Sequence, residues 1–136
     1  MRKGIIIIFG KNDVVNSNNL FLKSFFNKHI KICLINNGNN DEILEFLNEL
    51  KYSSKCDISI LNLKKEKTPM SAVKAGVRFL STSENFNLIV YTKKKNIFTE
   101  NIIRKIVEIS KTDLMKKKDE RILLRKVYSV SEIINC

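Results

Sequence analysis

The chain has one histidine, His29, and three cysteines, Cys33, Cys56 and Cys136, with no C-x-x-C spacing among them. An odd cysteine number and a lone imidazole argue against a disulfide framework and against a structural zinc set. Cys33, inside an apolar run, reads as a small core residue. Long hydrophobic runs are missing as well. Ile5 to Phe9 is far short of the roughly 20 residues of a membrane span, and of the roughly 7 to 15 residue core of a signal peptide. Nothing directs the protein out of the cytoplasm, its expected location, and no transmembrane segment is expected. G-x-G-x-x-G and G-K-[ST] are absent, so dinucleotide-binding and P-loop enzymes would lack their usual phosphate cradle. No nucleophile has a base nearby in sequence, which leaves enzymatic activity undefined. No metal or cofactor is expected.

What remains is the material of one globular domain. At 136 residues, a domain buries roughly two thirds of the surface its unfolded chain exposes. A core is therefore attainable, whereas separate catalytic and acceptor domains are not. Hydrophobic residues at 43% and charged residues at 29% argue against disorder. Charge is one-sided, with 25 Lys and Arg against 14 Asp and Glu, a formal net charge of +11 and a pI near 9.7. Such a balance favours polyanions, nucleotides or anionic membrane surfaces.

Apolar periodicity sets out the elements. Gly4 to Phe9 is continuously apolar and β-branched, the pattern of a strand covered on both faces. Ser17 to Lys28 has helical spacing, with Ser17 a plausible N-cap. Ile30 to Ile35 is a second strand, ended by the turn-forming run Asn36 to Asp41. Asp41 to Leu50 places Ile43, Leu44, Phe46, Leu47 and Leu50 on one helical face. A third strand spans Asp57 to Leu63. The basic loop Lys64 to Lys67 leads to a helix from about Pro69 to Leu80, since proline suits a first turn. Phe86 to Tyr91 is a fourth strand and Thr99 to Ser110 a fourth helix. The segment Val127 to Ile134 reads equally as a short strand or a helical tail. Alternating strands and helices imply an α/β three-layer sandwich: a mostly parallel, open sheet flanked by helices. Residues 1–110 would form this domain, and residues 111–136 a charged extension packing on it.

Ligands of such sheets gather beyond the carboxyl ends of the strands. There, Ile6-Ile-Ile-Phe-Gly-Lys-Asn12, Ile35-Asn-Asn-Gly-Asn-Asn-Asp41, Glu66-Lys-Thr-Pro-Met-Ser-Ala-Val-Lys-Ala-Gly76 and Ile89-Val-Tyr-Thr-Lys-Lys-Lys95 follow one another in an order and spacing that resembles the N-terminal, nucleotide-binding half of family 2 glycosyltransferases, the GT-A fold. Ser24-Phe-Phe-Asn-Lys28 echoes that family's first helix, and Asn96-Ile-Phe-Thr-Glu100 its loop after the fourth strand. The resemblance spans roughly residues 4 to 110 and implies a nucleotide or nucleotide-sugar ligand. Its D-x-D metal site is replaced by lysines, and its acceptor half, with the catalytic base, is missing. The implied protein is thus a glycosyltransferase-like domain without sugar transfer.

The residues expected to bind an anionic ligand are Lys11, Asn12, Asn36, Asn37, Lys67, Lys93, Lys94 and Lys95, with Lys64 and Lys65 on the same end. The lysines would supply the positive charge a metal normally brings. Asn36 and Asn37 would offer neutral donors and acceptors to a base edge. Solvated loop lysines and ordinary turn asparagines account for the same residues. Two alternatives remain open: a protein interaction or assembly module, with a homodimer or another protein as partner, and a basic domain that binds nucleic acid through charge alone. Against nucleic acid stands the tail Lys116-Lys-Lys118, Arg121, Arg125 and Lys126, which is diluted by acids and has only Tyr128 for stacking.

Overall fold

A computed structural model describes residues 2–13, 29–93, 100–108 and 127–134 of the chain. In chain order the elements are β1 (Arg2–Gly10), β2 (Ile30–Asn37), α1 (Asp41–Ser53), β3 (Asp57–Leu63), α2 (Pro69–Ser81), β4 (Phe86–Thr92), α3 (Glu100–Glu108), β5 (Val127–Ser129) and α4 (Val130–Ile134). The helix expected over Ser17 to Lys28 lies outside the described residues. The undecided segment Val127 to Ile134 is both things in succession, a strand and then a helix. The reason is local. Ser129 Oγ accepts from the Glu132 amide, and the Glu132 carboxylate accepts from the Ser129 amide at 3.0 Å. This reciprocal capping box stops the strand and starts the helix.

The five strands form one sheet in the order β3-β2-β1-β4-β5, and every neighbouring pair is parallel. The protein is therefore α/β, with an open parallel sheet between helices. Alternation along β1 divides the core in two. Ile5, Ile7 and Phe9 pack with Ile43, Leu47 and Leu50 of α1 and Ile106 of α3. Ile6 and Ile8 face the other way, against Ala72, Val73, Val77 and Leu80 of α2. A strand lined on both sides must be apolar at every position, which explains the unbroken run read from the sequence. Gly76 brings α2 down onto the sheet, since a Cβ there would stand 2.9 Å from Ile35 Cδ1 and 3.0 Å from Ile6 Cδ1.

The amino ends of the strands are tied by charge. Arg2 reaches Asp57 at 2.7 Å and Glu84 at 2.8 Å, and donates to the Ile30 carbonyl. Lys3 Nζ donates to the carbonyls of Ile106 and Val107 at 2.9 and 2.6 Å. It thereby closes the negatively polarised end of α3, and burial pulls its pKa below the usual lysine value.

Register decides the shape of the carboxyl end. Gly10 pairs with Asn37 and Asn37 with Leu63, so β1, β2 and β3 finish level. On the other side Thr92, the last residue of β4, pairs with Ile7, and Ser129, the last of β5, pairs with Tyr91. The rim therefore steps down past β1, leaving Ile8 beyond the end of β4.

Leu47 is fully buried, and Leu47→Ala should cost about 2–5 kcal/mol of stability, read as a lower urea midpoint. Burial pushes the Cys33 thiol up to about 12 from 9.0. Between those values the unfolded chain gives up this proton and the folded chain keeps it, so stability should fall as pH rises through that window. At pH 8, alkylation of Cys33, followed by peptide mass spectrometry, should track global unfolding.

Candidate functional site at the carboxyl rim

The chain runs from β1 outward to β2 and β3, then returns to place β4 on the opposite side of β1. The crevice of such a sheet opens where these directions diverge, between β1 and β4. The two sides of that point differ sharply.

On the β2 side, asparagine side chains are spent on the protein. Asn36 is wholly buried and Asn37 is 6% exposed. The Asn36 amide donates to Asn62 Oδ1 at 2.7 Å and to the Asn40 carbonyl at 3.0 Å. Asn62 in turn donates to Asn39 Oδ1. Asn37 makes a two-way pair with the backbone of Lys67, donating to its carbonyl and accepting from its amide, both at 2.9 Å. Asn40 caps α1 by accepting from Glu42 and Ile43 amides, while its own amide donates to the Lys11 carbonyl at 2.6 Å. Gly38 has φ +120°, and a Cβ there would meet Lys11 Cβ at 2.9 Å. Only glycine meets both conditions. Three loops, after β1, β2 and β3, are thus riveted together. A carboxamide serves where a carboxylate could not, because Asn36, Asn37, Asn40 and Asn62 each donate as well as accept.

On the β4 side the step in the rim is open. A cleft of about 310 Å³ lies between the first turn of α2 and the ends of β4 and β5. Its apolar wall comes from Ile8, Met70 and Val73, and its polar groups from Tyr91, Thr92, Lys93 and Ser129. Thr92 is almost buried, at 6% exposure, whereas Lys93 is exposed. Thr68 caps α2 by accepting from the Ser71 amide, which fixes the turn that roofs the cleft.

Of the expected ligand-binding residues, Lys11, Asn12, Lys67 and Lys93 are exposed on this end of the sheet. Asn36 and Asn37 lie beneath the surface, with the partners just described. Lys94 and Lys95 lie outside the described residues. The cleft residues Met70, Tyr91, Thr92 and Ser129 were not singled out from the sequence. Their only signal was position, Tyr91, Thr92 and Ser129 at the ends of strand runs and Met70 in the first turn of a helix. Among the described residues no group of His, Cys, Asp and Glu is placed to hold a metal ion, and no helix is long and apolar enough to cross a membrane.

A family model described as N-6 DNA methylase matches residues 8–135. The chain belongs to the N-6 DNA methylase family. This match overturns the resemblance to family 2 glycosyltransferases, and the nucleotide-sugar ligand falls with it. The resemblance rested on the order and length of segments, which parallel α/β folds share whatever their chemistry. Neither the curated proteins nor the solved structures contain a significant match to the chain.

Removing the Asn37 side chain leaves the Lys67 amide and carbonyl without their partner. Asn37→Ala should therefore destabilise the protein by about 1–3 kcal/mol. It should also raise hydrogen exchange at the amides of Gly38 and Lys67, detected by NMR. Lys67→Gln changes only an exposed side chain and should leave both stability and exchange close to the parent values.

Proposed function

We propose that this N-6 DNA methylase family domain engages DNA and receives an adenine in the cleft between α2, β4 and β5. The observation that carries the reading is the place and size of the cleft. It sits beside the switch point of the sheet, and about 310 Å³ is enough for one base. Proteins that act on a base edge turn the nucleotide out of the stack, sandwich its ring between apolar or aromatic groups and hydrogen-bond its edge. The cleft supplies both kinds of contact. Ile8, Val73 and Met70 offer apolar surface beside the Tyr91 ring, and the hydroxyls of Thr92 and Ser129 can accept from an exocyclic amine. Lys93 at its edge is suited to the neighbouring phosphate. The net charge of +11 favours DNA association in general.

Methylation at N6 needs a methyl donor as co-substrate. Of the described residues at the ends of β1 and β2, Asn36, Asn37 and Asn40 turn their carboxamides into the protein, and the Gly10 amide is taken by Asp13 at 2.8 Å. These groups do not fit a donor cradle, and no transfer step is assigned to them.

The test is a duplex in which 2-aminopurine stands next to one adenine, so that its fluorescence rises when that adenine leaves the stack. Binding should raise the signal, and Thr92→Val should reduce preference for adenine roughly tenfold, the equivalent of one hydrogen bond of about 1.4 kcal/mol. Tight binding with unchanged fluorescence, or equal affinity for all four bases at that position, would remove the base-receiving role.

A further inference from the structure

Two helices on opposite faces of the sheet, α1 and α2, carry opposite charge along their outer surfaces. On one side α1 presents Asp41, Glu42, Glu45 and Glu49, all exposed. On the other, Lys67, Lys74 and Arg78 are exposed on α2 and the residue before its cap, together with Ser71. Positions 71, 74 and 78 follow helical spacing and form one stripe along the outer surface of α2, and Lys67 stands just before the cap at its start. Lys93 stands at the cleft beside the upper end of that helix. Among the described residues none of these four cations is in an ion pair, whereas Arg2, at the amino ends of the strands, holds two carboxylates. Glu66 is the one acid within this stretch of loop and helix.

We infer that the outer stripe of α2, formed by Lys74 and Arg78 and continued by Lys67 and Lys93, is a track for the sugar–phosphate backbone of duplex DNA, and that the α1 face stays turned away from it. This rests on the proposed DNA-binding role and adds the side from which the duplex approaches. From Pro69 to Arg78 the helix rises about 14 Å, or about four nucleotide steps at 3.4 Å per strand. A backbone lying on the stripe reaches the cleft at its Lys67 end, where Pro69 and Met70 form the roof. The acidic face of α1 repels phosphate, so the charge pattern orients the duplex as well as attracting it. The core holds α2 rigidly through Val73, Val77 and Leu80, and the Asn37 clamp fixes Lys67. The backbone positions that carry the cations are therefore fixed without a ligand.

Two double variants of equal charge loss test this. Lys74→Gln with Arg78→Gln removes cations from the stripe, and Lys51→Gln with Lys55→Gln removes two exposed cations at the far end of α1 and just beyond it. Affinity for a random duplex is measured across a salt series. The stripe variant should flatten the slope of log K against log salt by about 1.8, at about 0.9 per phosphate contact, with a midpoint in urea unchanged. The α1 variant should keep the parent slope. Equal flattening by both variants would overturn the track and leave DNA binding by overall charge. If the unaltered protein fails to bind duplex even at low salt, the proposed function fails and the track with it.

Discussion

The structure depends on one constraint, that β1 is covered on both faces. Ile5, Ile7 and Phe9 need α1 and α3 above them, and Ile6 and Ile8 need α2 below. Once both faces are closed by helices, the polar work of the protein moves to the ends of the strands, because apolar packing leaves no room for it elsewhere. At the amino end that work is structural. Arg2 joins the starts of β1 and β3 to the loop before β4, and Lys3 terminates α3.

At the carboxyl end the same constraint produces two unlike regions. Where β1, β2 and β3 finish level, their loops collide and are held by asparagine. Lys11 stands over Gly38, and Asn40 links the first loop to the start of α1. Buried carboxylates in these positions would repel one another and would have no proton to give to the Asn40 and Lys67 carbonyls, so amides are the physical choice. Where β4 and β5 finish lower, the described residues leave a cleft. Charge then distinguishes two helices on opposite faces, with acids on α1 and cations on α2.

The family resemblance read from the sequence failed for a physical reason. Strand, turn and helix lengths are set by the thickness of a parallel sheet and by its crossovers, so Asn36 to Asp41 followed by an amphipathic helix suits many unrelated chemistries. The match over residues 8–135 concerns nearly the whole chain and places it in the N-6 DNA methylase family. Charge in the loops was visible from the start. The stripe at 71, 74 and 78 was present in the same letters, but its meaning depends on which side of α2 meets the sheet.

Local pattern settled the fold class and most boundaries. The continuous apolar runs of β1, β2 and β4 announced strands buried twice over, and Asp57 to Leu63 became β3 as read. Apolar spacing and Pro69 announced α1 and α2. These signals are local because periodicity and backbone restriction act over a few residues. The pairing of Thr92 with Ile7, which opens the cleft, and the burial of Asn36 against Asn62, which closes the opposite loops, join residues far apart in the chain. Register and long-range hydrogen bonds are properties of the assembled sheet, and only the tertiary structure decided them.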